Sequence, residues 1–576
     1  MSKRASILLL VLIFAVLLSA AALSVAFLEI GRPPAIAAES YLEIALSGPI
    51  EEYAASSGWA AMLRGSRPLT VHDVWMGLRK AKRDGRITGV LLRLGLLGGD
   101  WAKCAEIREA VLDFRRSGKP VTAFIEEAPN FDKEYYLATA CDKIILHPLG
   151  WFGLSGVGGA VPFLKKGLDK IGVQAEVEHV EEFKTAYNMF TESGFTPAHK
   201  AMVESIADDE LATYVRAVAG ARRKTEAEVK ALFGETFFQG ARAVEAGIVD
   251  DLLYEDQVGS LFRRDGRQAR RIGLAEYARI SPESVGLEGR RGIALLYGIG
   301  PIHGGESTPL SMGAETVSRW IRSVRDDASI AAVVFRVDSP GGSAVASDTI
   351  WREAMLCRKI KPFVVSMSDV AGSGGYWISM AAHRIVAQPQ TLTGSIGVLS
   401  GKVNLEKLLS GLGVTIEEVV RGGRGDMFTP FRPWTPEERA LVRKQILWIY
   451  DRFLAQAAEG RKLAKADVDK IGRGRVWTGR QAREIGLVDE IGGLDEALAL
   501  AKELAGIARD EEVRLSVWPK RVSLLRGLLG GSPEGTSARW PAALRRLVDW
   551  AAALRGDGMW AVMPLVPAGV GLSGLF

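Results

Sequence analysis

From Tyr41 onward, apolar runs of about five to seven residues alternate with longer stretches in which apolar positions recur at helical spacing. Pro362 to Met367 is one such run and predicts a buried strand, and the spacing of Tyr376 to His383 behind it predicts a helix. The longest helical patterns are Pro197 to Ala221 and Pro436 to Gly460. Each opens on Thr-Pro, Thr196-Pro197 and Thr435-Pro436, which supplies an N-cap and then a proline whose missing N–H a helix start would leave unsatisfied anyway. Alternation of this kind predicts a layered α/β fold rather than separate sheet and helix domains.

The pattern is written twice, in order, at an offset of about 240 residues. Leu46 to Ile50 matches Gly298 to Ile302, each closing an apolar strand. The run Ile87 to Arg93 matches Ile330 to Arg336, and each leads to a glycine pair, Gly98-Gly99 and Gly341-Gly342. Lys119-Pro120 matches Lys361-Pro362, Tyr135 to Leu137 matches Tyr376 to Ile378, and Met189 to Thr191 matches Met427 to Thr429. Gly247 to Asp250 closes the first copy as Gly486 to Asp489 closes the second. Repeats are therefore expected over residues 41–285 and 290–508.

Composition adds limits. At 576 residues, 48% of them hydrophobic, the chain exceeds one core and predicts roughly three to four domains, or two halves with appendages. A formal charge of +5, from 73 basic and 68 acidic residues, offers no basic tract to follow a phosphate backbone, so nucleic acid is not an expected partner. Cys104, Cys141 and Cys357 lack metal-ligand spacing and are expected as small apolar fillers; no metal and no organic cofactor is expected.

The two ends read differently from the body. Lys3 and Arg4 precede 23 uncharged residues, Ser6 to Leu28, enough for a helix to cross the hydrocarbon core. Residues 1–30 are thus expected to be a single-pass anchor in the inner (plasma) membrane, with the body on its periplasmic or extracytoplasmic side. Ala35 to Ala38 offers a small-residue cleavage site, so retention of the anchor stays open. Residues 520–576 mix Trp540, Trp550 and Trp560 with Arg526, Arg539, Arg545, Arg546 and Arg555, which suits an interfacial amphipathic helix; a disordered tail or an oligomer contact is the alternative.

The candidate chemistry begins at Asp369 to Trp377. Ser373 is flanked by Gly372, Gly374 and Gly375 between a predicted strand and a predicted helix, where the backbone bends sharply and first-turn N–H groups are free to hold developing negative charge. The same stretch also reads as a plain glycine-rich loop. A nucleophilic serine needs a base, and the six histidines do not supply one: His383 is ten positions past Ser373, and His72, His147, His179, His199 and His303 sit in ordinary polar or strand-end contexts. A lysine buried enough to be neutral serves instead, and Lys184, just ahead of the duplicated Met-Phe-Thr, is the candidate. Its place in the second half falls near Gly422, and the place of Ser373 in the first half is Asp132. One half keeps the nucleophile and the other the base, which predicts one composite site between them.

Asp369 to Trp377, Asp338 to Ser343, Thr393 to Gly397 and Phe183 to Tyr187 together resemble the long, tandem-repeat form of the signal peptide peptidase A family of membrane-anchored serine proteases. The resemblance runs from about Tyr41 to Ala505 and implies a ClpP/crotonase α/β fold and a Ser/Lys dyad. It implies degradation of cleaved signal peptides and other hydrophobic peptides at the membrane, and assembly as a homotetramer. By the same resemblance Ser373 is the nucleophile, Lys184 the general base, and Ser395 the residue that orients the lysine, with Leu154 as its counterpart in the first half. The N–H groups of Gly342 and Gly374 are the implied oxyanion hole. Gly372 departs from the family, where alanine is usual. Two other readings are a non-catalytic membrane scaffold and a crotonase-type acyl-CoA enzyme that uses Gly341-Gly342 to hold a thioester enolate.

Overall fold

The structure is a computed structural model that describes residues 34–54, 69–264, 267–520 and 560–562. The expected anchor and most of the carboxy-terminal segment lie outside these residues. Among the described residues, no helix is long and apolar enough to cross a membrane.

The fold is mixed α/β, and the two copies form sheets with the same strand order. In the first, Arg270–Gly273, Ser40–Pro49, Ile87–Gly98, Val121–Ala128 and Lys143–Gly153 run parallel, and Phe237–Gln239 closes the edge antiparallel. In the second, the order is Arg514–Trp518, Gly292–Ile299, Ile330–Ser339 and Phe363–Gly372. Arg384–Ala387 and Leu392–Gly394 follow as two pieces, and Val476–Thr478 closes antiparallel. The edge strand Arg514–Trp518 lies past residue 508, the expected end of the repeat.

The two sheets share a core. Along Gly292–Ile299, Ile293, Leu295 and Tyr297 belong to the core built around the first half, whereas Ala294 and Leu296 belong to the second core. Ala332 and Val334 against Val333 and Phe335 repeat this split on the next strand. Period-two alternation thus reflects two buried faces rather than one face in water, as a parallel sheet demands. The helices Val71–Arg83, Trp101–Arg115 and Leu494–Leu504 contribute to that shared core.

The long helices run Pro197–Arg222 and Pro436–Arg461, and the Thr196 and Thr435 hydroxyls accept from the N–H groups of His199 and Glu438 as caps. Two expectations shift. The strand expected to end at Met367 continues to Gly372, because Val370, Ala371 and Gly372 pair with Leu392, Thr393 and Gly394. The helix expected over Tyr376 to His383 is instead Gly374–Ser379, because the His383 N–H donates to the Phe363 carbonyl and starts the next strand.

A third sheet joins the halves. Gln174–His179, from the first half, lies antiparallel to Leu399–Asn404 of the second, with six residues in register from Gln174↔Asn404 to His179↔Leu399. Glu176 fixes this crossing: its carboxylate accepts from the Trp434 N–H at 2.9 Å and from the Asn404 amide at 3.3 Å.

Candidate active site

The extended strand delivers Ser373 at its end. The Ser373 N–H donates to the Gly394 carbonyl at 2.8 Å, and its φ of 56° is a left-handed value that a non-glycine residue holds only under strain of order 1–3 kcal/mol. In the first half the same bond, from the Phe131 N–H to the Gly153 carbonyl, also precedes a short helix. Hydrogen bonding therefore makes Phe131 the counterpart of Ser373, one position before the Asp132 expected from alignment. The extra residue is taken up in the helix, Asp132–Ala138 against Gly374–Ser379.

Lys184 arrives by the crossing strand. The Val180 N–H donates to the Val398 carbonyl, and the chain then turns through Glu181, at φ 47°, toward Ser373. The Lys184 amine lies 2.7 Å from Ser373 Oγ, 3.0 Å from Ser395 Oγ and 3.0 Å from the Ser395 carbonyl oxygen. Lys184 is 2% exposed, and Ser373 and Ser395 are fully buried. Burial alone holds the ammonium well below its ordinary pKa. A neutral amine has two protons and one lone pair. Two N–H bonds go to Ser395, and the third contact meets the Ser373 hydroxyl, which also lies 3.4 Å from the Gly397 carbonyl oxygen; a neutral amine has its lone pair free to take that hydroxyl's proton.

The close fit around Lys184 depends on Gly474. Its φ is +83°, and a Cβ there would fall 2.5 Å from Lys184 Cα. The neighbouring chain holds Ser395, whose N–H donates to the Arg475 carbonyl at 2.7 Å, as the Leu154 N–H donates to that of Thr236 in the first half. Gly474 carried no motif, and its signal in the sequence was only one glycine in a loop.

Gly342 and Gly374 meet beside Ser373: a Cβ on Gly374 would lie 3.1 Å from the Gly342 nitrogen. Gly342 is also pressed against Ile302, where a Cβ would fall 1.9 Å from a backbone oxygen, so only glycine fits. One edge here is already covered. Trp560–Val562 runs antiparallel to Gly341–Ser343, with Val562 opposite Gly341, and Trp560 is also opposite Leu399. Nothing in the sequence pointed to this pairing.

The histidines stand elsewhere. His383 Nδ1 accepts from the Phe363 N–H at the far end of the strand that carries Ser373, and His72 bonds the Tyr297 hydroxyl.

Residues 113–266 and 356–508 each match peptidase family S49. The chain is 34% identical to the chloroplastic serine protease SPPA of Arabidopsis thaliana over 78% of this chain and 68% of that protein. It is 33% identical to Protease 4 of Salmonella typhi, over 82% and 79% respectively. Among solved structures, ClpP1 from Listeria monocytogenes aligns over 35% of this chain and 91% of its own at 19% identity, with a TM-score of 0.22. The chain belongs to peptidase family S49, in which it is a tandem-repeat member, and it is a serine protease. That membership decides against the scaffold and acyl-CoA readings.

Proposed function

We propose that this S49 member is a membrane-anchored endopeptidase that uses Ser373 and Lys184 as a dyad to degrade cleaved signal peptides and other hydrophobic peptides. Repeat 41–285 supplies the lysine and repeat 290–508 the serine. Residues 1–30 hold the body on the extracytoplasmic side of the inner membrane, and the working form is a homotetramer; these points rest on the apolar run and the family resemblance.

Ser373 Oγ attacks the peptide carbonyl while Lys184 Nζ takes its proton. The Gly342 and Gly374 N–H groups hold the resulting oxyanion, where one such donor is worth about 3 kcal/mol. On collapse Lys184 returns the proton to the leaving amine. Water then attacks the acyl-enzyme, Lys184 takes a proton from it, and Ser373 regains its own as the acid leaves. Ser395 holds the Lys184 amine in place throughout, before and after it takes the proton.

The observation that carries this reading is the 2.7 Å approach of a buried amine to a strained serine hydroxyl, with burial alone depressing the amine. The antiparallel strand beside Gly341–Ser343 supports an extended peptide as ligand, since sheet edges bind extended backbones in this way. The test is hydrolysis of casein and of a synthetic signal peptide by the full chain, Ser373→Ala and Lys184→Ala. Loss of cleavage in both, with circular dichroism unchanged, is expected; full activity in either removes that residue from the mechanism.

A further inference from the structure

Two carboxylates sit at the roots of the catalytic loops. Asp369 lies four residues before Ser373, and Asp338 three before Gly341. Both face Lys103, from the first turn of the first-half helix Trp101–Arg115: its amine is 2.8 Å from Asp338 Oδ2 and 3.0 Å from Asp369 Oδ2. Asp369 also accepts from the N–H groups of Lys103, at 2.9 Å, and Asp100, at 3.2 Å. The Asp100 side chain makes no cap bond, so a carboxylate from the other half binds the N–H groups at the start of this helix. Asp338 Oδ1 accepts from the Val370 N–H at 3.2 Å, tying the two strand ends together.

Burial works to lower the Lys103 ammonium, but Asp338 and Asp369 outweigh it and hold the group well above its ordinary pKa. The cluster is built once. In the duplicated frame Lys103 corresponds to Ala346 and Asp338 to Gly95. A purely structural tie between the halves already exists nearby, where buried Arg336 meets Glu52 at 2.7 Å and Glu106 at 2.9 Å.

We propose that Lys103 is a positioning residue for the reaction: from the first half it clamps Asp338 and Asp369 and thereby sets the spacing between Ser373 and the Gly341-Gly342 strand. This rests on Ser373 being the nucleophile. Misplacement of reacting groups by about 1 Å costs roughly 100-fold in rate. Substrate binding along the edge strands does not involve Lys103, so the loss falls on kcat.

The test uses the full chain with Lys103→Met, and with Lys103→Met combined with Asp338→Asn, which removes the repulsion between Asp338 and Asp369 if the single variant fails to fold. Peptide hydrolysis and the rate of Ser373 labelling by a fluorophosphonate are read together. A folded variant is expected to lose about 10- to 100-fold in kcat and in labelling rate, with KM within about 3-fold. A folded variant with kcat and labelling unchanged, or with a loss confined to KM, overturns the proposal. Cleavage retained by Ser373→Ala would instead sink the dyad beneath it.

Discussion

Leu154 and Ser395 occupy the same backbone position in the two halves: the N–H of each donates at 2.7 Å, to the Thr236 carbonyl in one and the Arg475 carbonyl in the other. The frame is shared, and only the side chain differs. In the second half that side chain bonds Lys184. Ser395→Ala removes the Oγ bond but keeps the carbonyl bond. A single hydrogen bond contributes about 0.5–1.5 kcal/mol, so kcat should fall about 2- to 12-fold. Leu154→Ser should leave kcat unchanged, as steady-state hydrolysis of one peptide by both variants would check.

The pH profile follows from the depressed Lys184 pKa. The base works only when unprotonated, so kcat/KM should rise with pH through the lowered pKa and stay level above it. The midpoint should lie well below the ordinary lysine value of about 10.4. A midpoint near that ordinary value would show a solvated amine.

Burying Lys184 also lowers stability. The unfolded chain binds this proton up to about pH 10.4, whereas the folded chain releases it at lower pH. Between these values the unfolded state holds more protons, so stability rises with pH through that window, and the penalty is full below it. Lys184→Met should abolish hydrolysis yet stabilise the fold by roughly 0.5–2 kcal/mol near neutral pH, a gain that shrinks toward pH 10.5. Denaturant titrations at three pH values read this directly.

Gly474→Ala places a methyl against the backbone of Lys184 at a left-handed φ. It should cost about 1–3 kcal/mol of stability and lower kcat far more than a surface Gly→Ala control such as Gly234→Ala, at which a Cβ meets nothing within 4 Å. Thermal melts and hydrolysis on the same samples separate the two effects.

Trp560–Val562 covers the Gly341–Ser343 edge, where an extended substrate would pair. A chain ending at Lys520 should therefore show a lower KM for peptides with kcat little changed. A synthetic peptide spanning residues 556–566, added back in trans, should raise KM competitively.

Much of this architecture was legible in the chain. The duplicated Ile87 to Arg93 and Ile330 to Arg336 runs are equivalent strands, and the Thr-Pro pairs do start the two long helices. Ser373, Lys184 and Ser395 are brought together as three contacts. What escaped was whatever depends on which separate segments pair in space. The strand end is hidden because Ala371 and Gly372 carry little strand propensity and are held in the ladder by Thr393 and Gly394. Alignment placed Asp132 opposite Ser373 because it cannot see that the extra residue sits in the helix. Lys103 carries no local signal in the sequence, because its two carboxylates come from more than 230 positions away, at 338 and 369.

The crossing of Gln174–His179 into the second half's sheet has a consequence for how such a gene can change. A polypeptide holding only the serine copy would keep its alcohol but lose both the amine and the strand that seats it. One holding only the lysine copy would leave that strand without its bed. On the proposed dyad the two copies are obligate companions, so recombination that trims either one is expected to yield an inert protein rather than a smaller protease.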